Sequence, residues 1–161
     1  MRITTYLEMT APSQLIPAPR RDASWQLRQS SEPCGEWARF LYLSVGRAYR
    51  WKDRAGWTNE QWRHHFEAAP IELWVGYCRG TPCGYSEIEV SQDGNESFLA
   101  YFGLLPQFIG RGLGGWLLSE IVRAAWRPAT RRVWLHTCSL DHPRALANYQ
   151  ARGFQIYKVE P

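Results

Sequence analysis

Residues 108–115 read FIGRGLGG, with glycines at 110, 112, 114 and 115. They precede WLLSEIVRAAW, an apolar run with helical spacing. Glycine weakens a helix and costs chain entropy, so a backbone this bare at a helix start needs a reason. A helix N-terminus exposes unpaired N–H groups and carries a partial positive charge. Glycines leading into it let an anion reach those amides without meeting a Cβ, which is how phosphates and diphosphates are held. Arg111, inside the stretch, can add a charge-assisted contact. The chemistry indicated is binding of a nucleotide or a diphosphate coenzyme; the alternative is a glycine turn needed for tight helix–sheet packing. A Walker loop requires Lys-Ser or Lys-Thr after its last glycine, whereas Trp116 follows Gly115. A Rossmann fingerprint requires the first strand of a parallel sheet, and the strand here is the third of a meander.

The elements around this turn follow from the pattern. ITTYLEMT alternates Ile3, Thr5, Leu7 and Met9 with Thr4, Tyr6 and Glu8, as a strand does. Residues 11–22 carry three prolines and read as a linker or surface arm. SWQLRQSS is a short strand. Residues 36–49 place Trp37, Phe40, Leu41 and Val45 on one helical face. At Thr58 a cap, Gln61 three residues on, and a Trp57–Trp62 staple predict a helix over 59–68, ended by Pro70. IELWVGYCR and CGYSEIEV flank a hairpin turn, and QDGN leads into a third strand, ESFLAYFGLL. A helix over 112–126, the strand RRVWLHTC, a short helix in HPRALANYQARG and the strand FQIYKV complete the chain. Hairpins make the central strands antiparallel, and the strand–helix–strand passage from 97 to 137 demands a parallel crossover. The fold class expected is α/β, a mixed sheet with helices on both faces.

With 161 residues the chain is expected to form a single domain, its first 22 residues supplying a strand and an arm. The net charge of +4 and pI near 9.0 suit an anionic ligand. No Lys/Arg-rich tract is present, so nucleic acid is not an expected partner. Cys34, Cys78, Cys83 and Cys138 match no zinc spacing and are expected to be buried free thiols; no metal is implied. There is no apolar leader region and no membrane-length segment, so a cytoplasmic protein is expected.

The run LLPQFIGRGLGGWLL, followed about thirty residues later by ALANYQARGF, resembles the GCN5-related N-acetyltransferase (GNAT) superfamily. The likeness covers roughly residues 70–157. Pro106 and Phe108 match the proline and aromatic before the family's glycine signature and set its register at Ile109-Gly110-Arg111-Gly112-Leu113-Gly114, with Ile109 in place of the usual Gln or Arg. The resemblance implies a mixed, mostly antiparallel sheet in which two parallel strands, here 97–105 and 132–138, splay apart around acetyl-CoA. It implies pantetheine pairing at Leu104 and Leu105, and diphosphate held by amides from Gly110 to Gly115 (Gly110, Arg111, Gly112, Leu113, Gly114 and Gly115). His142 or Asn148 would serve the coenzyme.

The implied activity is acetyl transfer from acetyl-CoA to a primary amine of a small molecule by direct attack. The alternatives are acetylation of a protein or peptide, and a coenzyme-binding module without catalysis. Monomer and homodimer both remain open. Tyr149, four residues before Gly153-Phe154, matches the family's tyrosine on the thiolate side. For the base, Glu87 comes first, on a strand whose Tyr85, Glu87 and Glu89 share one face. Glu96 lies where the histone-acetylating branch keeps its glutamate, and His136 is third. Trp51, Asp53 and Trp57, between the first two helices, are the implied acceptor wall. Family members continue past the Gly-Phe strand into a further hairpin strand, whereas only seven residues follow Phe154 here. ITTYLEMT is expected to fill that place, from this chain or a partner.

Overall fold

In chain order the elements are β1 (Thr4–Met9), β2 (Gln26–Ser30), α1 (Gly35–Gly46), α2 (Asn59–Ala68), β3 (Ile71–Cys78), β4 (Thr81–Val90), β5 (Glu96–Leu104), α3 (Leu113–Ala125), β6 (Arg132–Cys138), α4 (Ala145–Ala151) and β7 (Gln155–Glu160). The computed structural model describes residues 2–68 and 70–161. Among the described residues the strands form one sheet in the order β2-β3-β4-β5-β6-β1-β7. β2 through β5 pair antiparallel, and β5 and β6 pair parallel through the α3 crossover.

Alternation along β4 decides which helices cover which face. Tyr85 packs with Leu73 and Val75 under α1 and α2, beside Leu41, Tyr42 and Trp62. Ile88 points the other way and joins Leu99, Val133 and Leu135 under α3, together with Tyr149 and Phe154. α2 starts as its sequence predicts: the Thr58 amide donates to Gln61 Oε1 (2.8 Å), the Gln61 amide donates to Thr58 Oγ1 (3.2 Å), and the Trp57 and Trp62 rings meet edge-on at 4.9 Å. α1 is shorter than its apolar stripe. Regular helix stops at Gly46, where the Trp51 side chain fills the place of a Cβ, and a 3₁₀ turn carries the chain to Tyr49.

β1 lies between β6 and β7, antiparallel to both, so ITTYLEMT fills the expected gap from within this chain and sits inside the sheet. Its period-two pattern explains the fit: Leu7 and Met9 are fully buried. Leu7→Ala is expected to cost about 2–5 kcal/mol, read as a lower urea midpoint at unchanged slope. The cysteines are free, but only Cys78 and Cys83 are buried. Cys34 is exposed at the start of α1 and Cys138 is half-buried, so burial of all four does not hold. Burial pushes the Cys83 thiol up to about 12, which keeps it protonated and unreactive.

Candidate active site

The parallel ladder between β5 and β6 is short. It runs from Glu96 opposite Arg132 to Phe98 opposite Trp134 and stops there. Beyond it β5 carries a bulge, with Tyr101 and Phe102 set against Ser86 alone. Tyr101 adopts a left-handed φ of 56°, unusual for an aromatic residue. The Ser86 hydroxyl donates to the Ala100 carbonyl (3.1 Å). The bulge turns β5 away from β6, and a cavity of about 680 Å³ opens in the wedge. That is the size range of small-molecule sites. β5 from Phe98 to Leu104 lines it. So do the connection between α1 and α2 from Tyr49 to Arg54, the glycine turn, and α4 with the residues before it.

At one end lies the turn before α3. Gly110 and Gly112 have φ near +80°, a region closed to most side chains, and Gly112 opens the helix without a side-chain cap. The first-turn amides of α3 are therefore free to receive an anion. Gly110, Gly112, Gly114 and Gly115 all line the cavity. A diphosphate coenzyme fits this end: the cradle is backbone, and a Cβ at Gly112 would lie 3.1 Å from Nη1 of Arg21. The Leu113 side chain is fully buried in the core and does not line the cavity. Arg111 lies outside the cavity lining, with its guanidinium over the Phe108 ring (5.1 Å) and Nη2 3.8 Å from Cys78 Sγ. Leu104 lines the wedge. Leu105 does not; its amide is already engaged, donating to the Cys83 carbonyl (2.8 Å), and its carbonyl accepts from the Phe108 amide (3.0 Å). Asn148 Nδ2 donates to the Gly114 carbonyl (3.3 Å) and ties α4 to the glycine turn. His142 Nδ1 accepts from the Arg144 amide (3.0 Å) while its ring meets Tyr49 edge-on.

Tyr149 is buried on the wall of the wedge, edge-on to Phe102 and Phe154. Burial, with the nearby Asp141 charge adding to it, raises its hydroxyl pKa well above the ordinary tyrosine value. The hydroxyl is protonated at neutral pH.

The sequence-based choice of base needs correction. Glu87 is fully buried and does not line the cavity. Both its oxygens accept from Nη1 of Arg54 (2.7 and 2.9 Å), and His65 Nε2 is 3.3 Å away. Glu96 also lies off the cavity, half-exposed and facing Arg132 at 3.5 Å. The carboxylate that reaches the cleft from the Glu87 face is Glu89, one alternation further along β4. Burial and then the Glu87 charge raise its pKa, against the opposing pull of Arg54 and His65. His136 lines the cleft from β6, its ring stacked on Phe98 (5.5 Å) and near Tyr6, and desolvation lowers its pKa.

Of the implied acceptor wall, Trp51 and Asp53 line the cavity, and Tyr101 Oη donates to Asp53 Oδ2 at 3.4 Å. Trp57 does not line it: the ring is held on Trp62 and His65 by its capping role. Arg54 takes its place, buried in the lining with its guanidinium over the rings of Tyr101 (4.5 Å), Trp57 (4.9 Å) and Trp62 (5.5 Å). Sequence reasoning did not single out Glu89, Tyr101 or Arg54, all of which line the cavity. Only Glu89 carried a signal, its shared face with Glu87.

A family model described as the acetyltransferase (GNAT) family matches residues 26–154. No curated protein sequence matches the chain. Among solved structures it is similar to a GCN5-related N-acetyltransferase from Sphaerobacter thermophilus, with 19% identity, a TM-score of 0.73, and coverage of 98% of this chain and 49% of that one. A GCN5-related N-acetyltransferase from Kribbella flavida matches at 17% identity and TM-score 0.68, over 98% of this chain and 55% of that one. An aminoglycoside acetyltransferase from an uncultured soil metagenomic sample matches at 12% identity and TM-score 0.69, over 83% and 90%. These likenesses show the fold. The chain spans only about half the length of the first two relatives. No helix among the described residues is long and apolar enough to cross a membrane.

Proposed function

The chain belongs to the acetyltransferase (GNAT) family, and from that membership we propose that it moves an acetyl group from acetyl-CoA to the primary amine of a small molecule by direct attack. One observation carries the reading: a single wedge holds uncapped glycine amides at one end and a carboxylate and a protonated tyrosine further in. When bound, acetyl-CoA supplies the activated acyl thioester. The glycine turn from Gly110 to Gly115 holds its diphosphate, and Leu104 with the unpaired stretch of β5 aligns its arm. Glu89 takes the proton from the acceptor ammonium, which frees the lone pair for attack. The new N–C bond forms and the C–S bond breaks; the Tyr149 hydroxyl donates its proton or a hydrogen bond to the departing sulfur, and the second proton that nitrogen sheds on becoming an amide passes to solvent or restores the tyrosine. Trp51 and Asp53 meet the acceptor, Asp53 as counter-charge to an ammonium. The aromatic lining around Asp53, with Trp51 and Tyr101, favours a small amine over a peptide.

Thiol release from acetyl-CoA across a panel of arylamines, polyamines, amino acids and peptides tests this reading. Turnover with at least one small amine is expected. Coenzyme binding with no release across the panel would reduce the protein to a binding module. Tyr149→Phe is expected to lower kcat about 10²-fold, the lower end for acid catalysis because a thiolate leaves readily, with coenzyme affinity unchanged by calorimetry. Equal loss of both would remove the acid role.

A further inference from the structure

We infer that Arg21, on the arm between β1 and β2, and not Arg111 within the turn, supplies the guanidinium that grips the coenzyme diphosphate; this rests on the coenzyme reading above. Arg21 stands against the open side of Gly112, the residue that opens α3 and lines the wedge.

The arm is anchored on both sides of it. The Ile16 amide donates to the Arg152 carbonyl (2.9 Å) and the Ala18 amide to Ser119 Oγ (2.9 Å). Gln14 passes so close to Gly153 that its carbonyl occupies the place of a Cβ there. Beyond Arg21, Trp25 is buried against Trp116 (5.5 Å). The neighbouring acid, Asp22, is engaged elsewhere, accepting from the Ser24 amide (2.9 Å) and facing Arg79 at 3.6 Å. Arg21 is exposed, makes no ion pair among the described residues and, like Arg111, does not line the wedge; its Nη1 lies 3.1 Å from where a Cβ of Gly112 would sit. An exposed, unpaired guanidinium on an anchored arm, beside the glycine turn, is suited to a diphosphate, which it can meet with two parallel hydrogen bonds. Arg111 is turned onto Phe108 and Cys78. The arm that continues from the inserted strand β1 is thereby part of the coenzyme site.

Calorimetric titration of the whole chain with CoA and with 3′-dephospho-CoA tests the inference on the wild type, Arg21→Ala and Arg111→Ala. Arg21→Ala is expected to weaken both ligands by the same factor, about tenfold or more for a charge-assisted pair. Equal factors assign the contact to the diphosphate, which both ligands carry. Thermal melts without ligand check that the variant keeps its fold, and Arg21→Lys is expected to recover part of the affinity. CoA is also expected to slow tryptic cleavage after Arg20 and Arg21 in the wild type. If wild-type binding is intact and Arg21→Ala stays within twofold, or Arg111→Ala loses as much, the inference fails and the coenzyme reading stands. A loss confined to CoA moves Arg21 to the 3′-phosphate and overturns the diphosphate assignment. Absence of wild-type binding overturns both.

Discussion

Glu89→Gln is expected to lower kcat/KM for the acceptor amine at least a hundredfold near neutral pH, and to regain most of it as the pH passes the acceptor's own pKa. The second half of that result identifies a base. An acceptor ammonium of ordinary pKa near 10 holds its proton at pH 7, and an ordinary carboxylate near 4.3 accepts it only against a gap of about 6 units. Each unit by which the site raises Glu89 narrows that gap by about 1.36 kcal/mol. Burial in the cleft wall does so first, and the neighbouring Glu87 charge adds to it. The direction fixes the pH profile. Glu89 works deprotonated, so the rate rises with pH through its pKa, and that limb lies at higher pH than an ordinary glutamate would put it. Glutamine keeps the shape and removes the acceptor site for the proton, so only amine already neutral in solution reacts. Rates against pH from 5 to 10, with thiol release as the readout, check both halves. A Glu89→Gln enzyme with the wild-type profile, together with a slow His136→Ala, would transfer the role to the imidazole on β6. His136 carries a pKa lowered by desolvation and is neutral at pH 7.

The parts of this protein written in local chemistry were legible from the residues. The capping box at Thr58–Gln61 and the Trp57–Trp62 staple act within five residues, and both form as expected. The alternation in ITTYLEMT announced a strand with a buried face, and Leu7 and Met9 occupy it. Left-handed glycines at 110 and 112 follow from the same rule that made the stretch conspicuous. What the residues could not show is which of two like groups on one face is sealed and which is open. Glu87 and Glu89 are equivalent by period two, and the difference comes from Arg54, thirty-three positions upstream of Glu87, reaching under α2. Nothing in WKDRAGW says that its arginine turns inward among three rings. The bulge at Tyr101 is equally silent, since the left-handed residue is an aromatic and not a glycine. Arg21 reached the glycine turn only through the path of the arm, which tertiary packing sets.

Arg54→Met is expected to be the most damaging single change to stability, and pairing it with Glu87→Gln is expected to restore most of the loss. The guanidinium and the carboxylate are both inside the protein, the Glu87 side chain with no solvent exposure. Removing Arg54 leaves the buried Glu87 with only His65 Nε2 (3.3 Å) beside it, and removing the Glu87 charge leaves the guanidinium buried among rings; breaking such a pair costs about 3–5 kcal/mol. That is a large share of a domain stability of about 5–15 kcal/mol. Replacing both members by uncharged side chains of similar volume removes the stranded charge, and such swaps are close to neutral. Urea unfolding of the two single variants and the double variant gives the coupling directly. The same cycle reports on catalysis, because Glu89 feels both members. Arg54 lowers its pKa and Glu87 raises it. Loss of Arg54 alone therefore moves the rising limb of the rate profile to higher pH. Loss of the Glu87 charge alone moves it to lower pH. A stability cycle that couples as expected, with no movement of the limb in either single variant, would leave the buried pair as scaffold and detach it from the base. Movement in opposite directions would show that the pair sets the proton affinity of the cleft as well as holding α2 over the sheet.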